Sequence, residues 1–172
     1  MKRVILLSIL ALAGCAGFDG RNLVAGRSTE QDAVKEMGKP SLELKQPNGD
    51  RALYFSRLPE GRAIFKATFS PDGVLRGIQP TLTRENVAKI QVDKTTKEEA
   101  RELLGPPYRV TREPQRPWDT WEYPWRNVED RRILWISFSD DGVARDRIER
   151  HHFESDPPSG PSMGGGAGLG GR

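Results

Sequence analysis

Phe65, Ala67 and Phe69 alternate with Lys66 and Thr68, the period of two expected of a strand with one face buried. Leu134, Ile136 and Phe138 repeat that spacing 69 residues later, with Ile133 and Trp135 on the opposite parity. Around the first run, turn-forming clusters recur every 12 residues, at 46–50 (Gln, Pro, Asn, Gly, Asp), 59–61 (Pro, Glu, Gly) and 71–73 (Pro, Asp, Gly), which is hairpin spacing. The pattern predicts strands over 41–45, 51–57, 63–69 and 74–78, and again over 108–112, 118–125, 133–138 and 143–149.

A helical stretch precedes each set. Ser28, Thr29, Glu30 and Gln31 place a hydroxyl three residues before Gln, and Thr95, Thr96, Lys97 and Glu98 do the same before Glu, so both open like capping boxes. Gly38 and Gly105 follow the last apolar residues, Met37 and Leu104, where a residue of positive φ closes a helix most easily, and Pro40 and Pro107 stop its continuation. Helices are thus predicted over 29–37 and 97–104, with a short helical turn at 19–24 and a further helix at 83–92. Thr29 and Thr96, Ala33 and Ala100, Gly38 and Gly105, and Pro40 and Pro107 all stand 67 residues apart, as do Tyr54 and Trp121. Phe69, Ser70, Asp72, Gly73, Val74 and Arg76 return as Phe138, Ser139, Asp141, Gly142, Val143 and Arg145 at an offset of 69. Matched element order at a shared period marks a duplicated unit.

The fold class expected is therefore α+β: two tandem repeats, each with two short helices packed on an antiparallel meander of about four strands. One continuous curved sheet is among the arrangements open to them. The division expected is 1–14 signal peptide, 15–80 first repeat, 81–154 second repeat and 155–172 a flexible tail rich in Gly and Pro, with almost nothing to bury. A repeat of this size hides only about 60% of its surface on folding, so the two are expected to share a core or a sheet.

The N-terminus changes the picture. Met1, Lys2 and Arg3 begin a short positive segment, residues 4–12 are mostly apolar, and small residues lead to Cys15, the single cysteine of the chain. The apolar run is too short for the ~20 residues that span a bilayer, and has the layout of an export signal. Leu12, Ala13, Gly14 and Cys15 resemble the lipobox of bacterial lipoproteins. That resemblance implies cleavage before Cys15, diacylglycerol on its sulfur and a further acyl chain such as palmitate on its amino group. Several chains anchor stably where one is marginal. Ala16 and Gly17 follow the cysteine, without the aspartate that holds enterobacterial lipoproteins at the inner membrane. The expected location is the outer membrane, facing the periplasm.

Charge adds little. There are 27 Lys and Arg, or 25 once Lys2 and Arg3 are set aside, against 24 Asp and Glu. They are interspersed, which argues against nucleic acid as a partner. One cysteine excludes an internal disulfide.

The order helix, capped helix, Gly-x-Pro, aromatic strand and Phe-Ser-x-Asp-Gly-Val is carried by Thr96, Leu104, Gly105, Pro107, Trp121, Tyr123, Phe138, Asp141 and Gly142. In the first unit Thr29, Met37, Gly38, Pro40, Tyr54, Phe69, Asp72 and Gly73 carry it. Over about residues 20–150 this resembles the SmpA/OmlA, or BamE-like, domain of outer-membrane lipoproteins. The family implies an accessory role beside the machinery that assembles β-barrels. Two units in tandem are also similar in layout to β-lactamase inhibitory proteins, which implies the alternative of an inhibitor or regulator of a periplasmic enzyme. Those inhibitors use disulfides that this chain cannot form.

No catalytic constellation stands out, and no enzyme activity, cofactor or metal is expected. His151 and His152 are adjacent, so their side chains diverge along an extended chain. Asp140, Asp141 and Gly142 lack the spaced oxygen ligands of a calcium loop, and no glycine-rich phosphate loop joins a strand to a helix. The conspicuous feature is aromatic: Trp118, Trp121, Tyr123 and Trp125 within eight residues, and Trp135 on the next strand. Trp121 and Tyr123 are read as core. Trp118, Trp125 and Trp135 are the candidate partner-binding residues, Trp118 and Trp135 lining the uncovered sheet face together. The charged stretch 126–132 is either a polar rim to that face or a solvated hairpin loop.

Overall fold

The structure is a computed structural model that describes residues 18–112, 114–127 and 130–151. The signal segment, Cys15, His152 and the tail lie outside the described residues. Two four-stranded antiparallel meanders make up most of it, β1 (Leu42–Lys45), β2 (Arg51–Ser56), β3 (Ile64–Phe69) and β4 (Leu75–Pro80), then β5 (Arg109–Arg112), β6 (Asp119–Asn127), β7 (Asp130–Phe138) and β8 (Ala144–His151). Three short helices accompany them, α1 (Glu30–Met37) before β1, and α2 (Arg84–Ala88) and α3 (Lys97–Leu104) between β4 and β5.

The α+β expectation of helices laid as a pair over each meander is overturned. Only 16% of the described residues are helical and the architecture is mostly β, with two separate sheets. Residues 19–24 make turns, because Gly20 (φ 71°) and then Gly26 (φ 77°) take left-handed backbone that breaks a helix. The helix expected over 83–92 stops after five residues. The continuous sheet also fails: β4 ends at Pro80, the chain passes through α2 and α3, and no strand of one meander pairs with a strand of the other.

The two meanders nevertheless repeat each other closely. Thr29 and Thr96 cap their helices through boxes completed by Asp32 and Glu99, one residue later than the sequence pattern suggested. Each helix start leans on the last turn of its own sheet, with Glu30 N–H donating to Gly73 C=O and Lys97 N–H to Gly142 C=O. Thr29 bridges Val74 as Thr96 bridges Val143, and a bulge falls at Phe69 as at Phe138.

The pairing of strands corrects one correspondence. Ala67 lies opposite Leu53 and Ile136 opposite Trp121, so Leu53 is the counterpart of Trp121 and Tyr54 that of Glu122. Tyr54 therefore occupies the other face of its sheet, and that shift sets the core. One cluster joins Ala33 and Met37 of α1 to Leu53, Phe55, Ala67, Phe69 and Leu75. The larger cluster takes Ala52, Tyr54 and Ile64 from the opposite face of the first sheet. It adds Val87 of α2, Ala100 and Leu104 of α3, and Trp121, Tyr123, Leu134, Ile136 and Phe138 of the second sheet. The layers run α1, first sheet, α2 with α3, second sheet.

Candidate protein-binding face

The first sheet is buried on both faces and the second on one, among the described residues. Four consecutive residues of β2, Ala52 to Phe55, are buried, as a strand covered on both sides must be. The covering on the Tyr54 side comes from the second unit: the Tyr54 hydroxyl donates to Glu102 C=O at 2.8 Å, and the Thr81 hydroxyl to Leu104 C=O at 2.7 Å. Gly105 sits so close that a Cβ there would meet Ile64 Cγ2 at 2.9 Å and Tyr54 Cδ1 at 3.0 Å. Burial drives the Tyr54 phenol well above its ordinary pKa, so it remains a neutral donor.

On the second sheet the equivalent face carries Glu122 in place of Tyr54, Trp135 in place of Lys66 and Ile133 in place of Ile64. No described element packs over it. Trp135 is half-buried, and its Nε1–H donates to the Glu122 carboxylate at 3.2 Å. Arg109 of β5 donates to the same carboxylate at 3.0 Å, while Thr120 and Ser137 share a hydrogen bond at 2.9 Å. Trp118, just before β6, is half-buried with the Arg116 guanidinium 4.9 Å above its ring. Ile148 lies opposite Trp135 on β8 and is exposed. The face thus offers an indole edge, aliphatic side chains and an Arg–Glu pair, the mixture of apolar anchor and polar rim that protein partners use.

Of the three tryptophans expected to bind a partner, Trp135 lies on this face, Trp118 is half-buried just before β6, and Trp125 lies on the other face. Trp125 is 2% exposed, on the Trp121 and Tyr123 side, so it serves the core and not the surface. Its indole N–H is buried with no acceptor among the described residues. Trp121 and Tyr123 are core, the Tyr123 hydroxyl donating to Gly105 C=O at 3.0 Å. Arg131 and Arg126 at the hairpin end of β6 and β7 are exposed, and Arg132 pairs with Glu149 at 2.6 Å.

Other groups organise the fold. His151 Nδ1 lies 3.3 Å from the Asp130 carboxylate, and the described residues hold no cluster of three metal-ligating side chains. Asp141 accepts from the Ser139 hydroxyl and Val143 N–H, and these bonds, with Arg145 beside it, hold its carboxyl below the usual range. That is turn chemistry. A cleft of about 530 Å³ opens between the first sheet and α2 and α3, lined by Lys66, Lys89, Lys94, Glu99 and Glu102, with no histidine or cysteine. A shared core or sheet was expected from the size of each repeat; the core is shared and the sheet is not, and which face of the first unit enters that core was not read from the sequence. The signal available was the apolar outer parity of the first unit, Leu42, Leu44, Ala52 and Ile64, which has no counterpart of equal apolarity in the second.

The fold is a tandem of separate β-meanders with the second left open on one side. No family model matches the chain, and no curated protein matches it. A solved structure, a DUF4309 family protein (YjgB) from Bacillus subtilis subsp. subtilis str. 168, is similar at 19% identity over 75% of this chain and 81% of that one, with a TM-score of 0.30. A likeness of that size carries no argument about fold or function.

Proposed function

We propose that this chain is a lipid-anchored, non-catalytic protein-binding module of the bacterial envelope. It resembles the SmpA/OmlA (BamE-like) lipoproteins in its motifs, is held at the outer membrane through Cys15 and faces the periplasm. It acts in outer-membrane assembly or envelope maintenance. One observation supports the binding reading above the others: the face that the first unit buries under α2 and α3 is uncovered in the second, around Trp135. The protein carries its own example of what such a face accepts, the end of a helix with a glycine against the sheet.

An inhibitor or regulator of a periplasmic enzyme is the alternative reading. The sheets are separate and the first is covered on both sides, so the face around Trp135 is the sheet surface such a target would meet among the described residues.

The test is a mild-detergent pull-down of the lipidated protein from membranes, beside Cys15→Ala and Trp135→Ala forms. Barrel-assembly subunits recovered with the lipidated form, and lost with Trp135→Ala at an unchanged melting temperature, are the expected result. Equal recovery with Trp135→Ala would remove this face from the proposal. A soluble periplasmic enzyme recovered with and without the lipid would return the inhibitor reading.

A further inference from the structure

Only Ala16 and Gly17 stand between Cys15 and Phe18, the first described residue. A fully extended chain gains at most ~3.6 Å per residue, so Phe18 lies within about 10 Å of the cysteine that the proposed function acylates. The polar layer on each side of a bilayer is roughly 5–8 Å thick, from a core of about 30 Å within a total of about 40–45 Å. The tether therefore outreaches the headgroup layer by only a few ångströms.

The fold gives no slack beyond that point. The Arg57 guanidinium lies 4.4 Å over the Phe18 ring and donates to the carbonyls of both Phe18 and Met37, which fastens the entering chain to the end of α1 and of β2. Two residues on, Gly20 is buried so tightly that a Cβ would come within 2.5 Å of Ile78 Cδ1. Outside this fastening, Phe18 is 59% exposed, the Arg21 side chain is 73% exposed beside Asp19, and Lys39 is exposed two residues past Met37. An aromatic ring among basic side chains suits a phospholipid headgroup layer, where rings settle and Lys and Arg meet anionic lipid.

We infer that this corner, Phe18 with Arg21, Arg57 and Lys39, rests on the phospholipid surface, so that the anchor sets the orientation of the whole body as well as its address. The occupant of the surface is the headgroup layer of the membrane that holds the acyl chains. The Trp135 face belongs to the layer furthest in order from α1, whose end carries this corner. This rests on acylation of Cys15, and the experiment separates the two.

Lys39→Cys and Ile148→Cys forms of the full lipidated protein are labelled with a fluorophore and reconstituted in phosphatidylethanolamine and phosphatidylglycerol vesicles containing nitroxide-headgroup lipid. Strong loss of fluorescence at position 39 and none at 148 is expected. Insertion of ~20 Gly and Ser residues between Gly17 and Phe18, with an average span of roughly 25 Å, should restore the signal at 39. Loss at 148 with none at 39, or no loss at either, overturns the inference in protein whose mass shows the acyl chains. A mass showing unmodified Cys15 overturns the anchoring reading and this inference with it.

Discussion

Gly38 and Gly105 look interchangeable in the sequence and are not. Both take positive φ with extended ψ (82°, −168° and 86°, −166°), a region that costs an L residue about 1–3 kcal/mol. Beyond Gly38 a Cβ would meet nothing within 4 Å, whereas beyond Gly105 it would strike Ile64 and Tyr54 of the first sheet. Gly38→Ala should cost only the backbone strain. Gly105→Ala should cost a further ~1–3 kcal/mol of overpacking, read from denaturant midpoints. Equal losses would mean that the units do not pack at this point. The cap itself was legible from Gly and Pro spacing; the contact was not, because it joins residues about 40 or more apart in the chain. Tyr54 shows the same limit: its aromatic character was read as matching Trp121, yet strand register sends it to the opposite face.

At the scale of elements, α3 is tied to its own sheet by charge. Lys97, its first residue, donates to Asp119 of β6 at 2.7 Å, Arg112 of β5 bonds the same carboxylate at 3.0 Å, and Arg112 reaches on to Asp140 at 2.7 Å. The Lys97 bond first, then that from Arg112, holds the Asp119 carboxyl below its ordinary pKa. A depressed carboxyl contributes stability that is present above the unfolded value of about 3.9 and is lost as pH falls through the folded value. Stability of the natural protein should fall more steeply below about pH 4 than that of Asp119→Asn, in denaturant titrations at successive pH values. Parallel slopes would show that the network contributes nothing to folding. The strands were the legible elements, since alternation and turn clusters are local. The helical turn at 19–24 and the full length of the helix at 83–92 were over-read: Gly20 and Gly26 take positive φ, and α2 ends at Ala88.

For the whole molecule, the shared core makes the two units unequal. The first exposes the Leu42, Ala52, Tyr54 and Ile64 face if the second is removed, and a unit of that size is already marginal. A fragment of residues 15–80 should show no cooperative thermal transition by circular dichroism, while the full protein melts once. A cooperative melt of the fragment would establish that the units are independent domains. The second unit leaves its equivalent face uncovered by any described element, which is why the proposed partner is placed there.

The sequence by itself determined the duplication, the order of the strands, the glycine ends of α1 and α3 and the lipobox resemblance at Cys15, because each depends on residues near one another in the chain. Only the tertiary structure decided that the sheets are separate, that α2 and α3 serve two sheets at once, and that Trp125 belongs to the core while Trp135 does not. Those outcomes turn on which face of a strand another element covers. A period of two reports that a strand has two faces; the partner that buries one of them lies elsewhere in the chain.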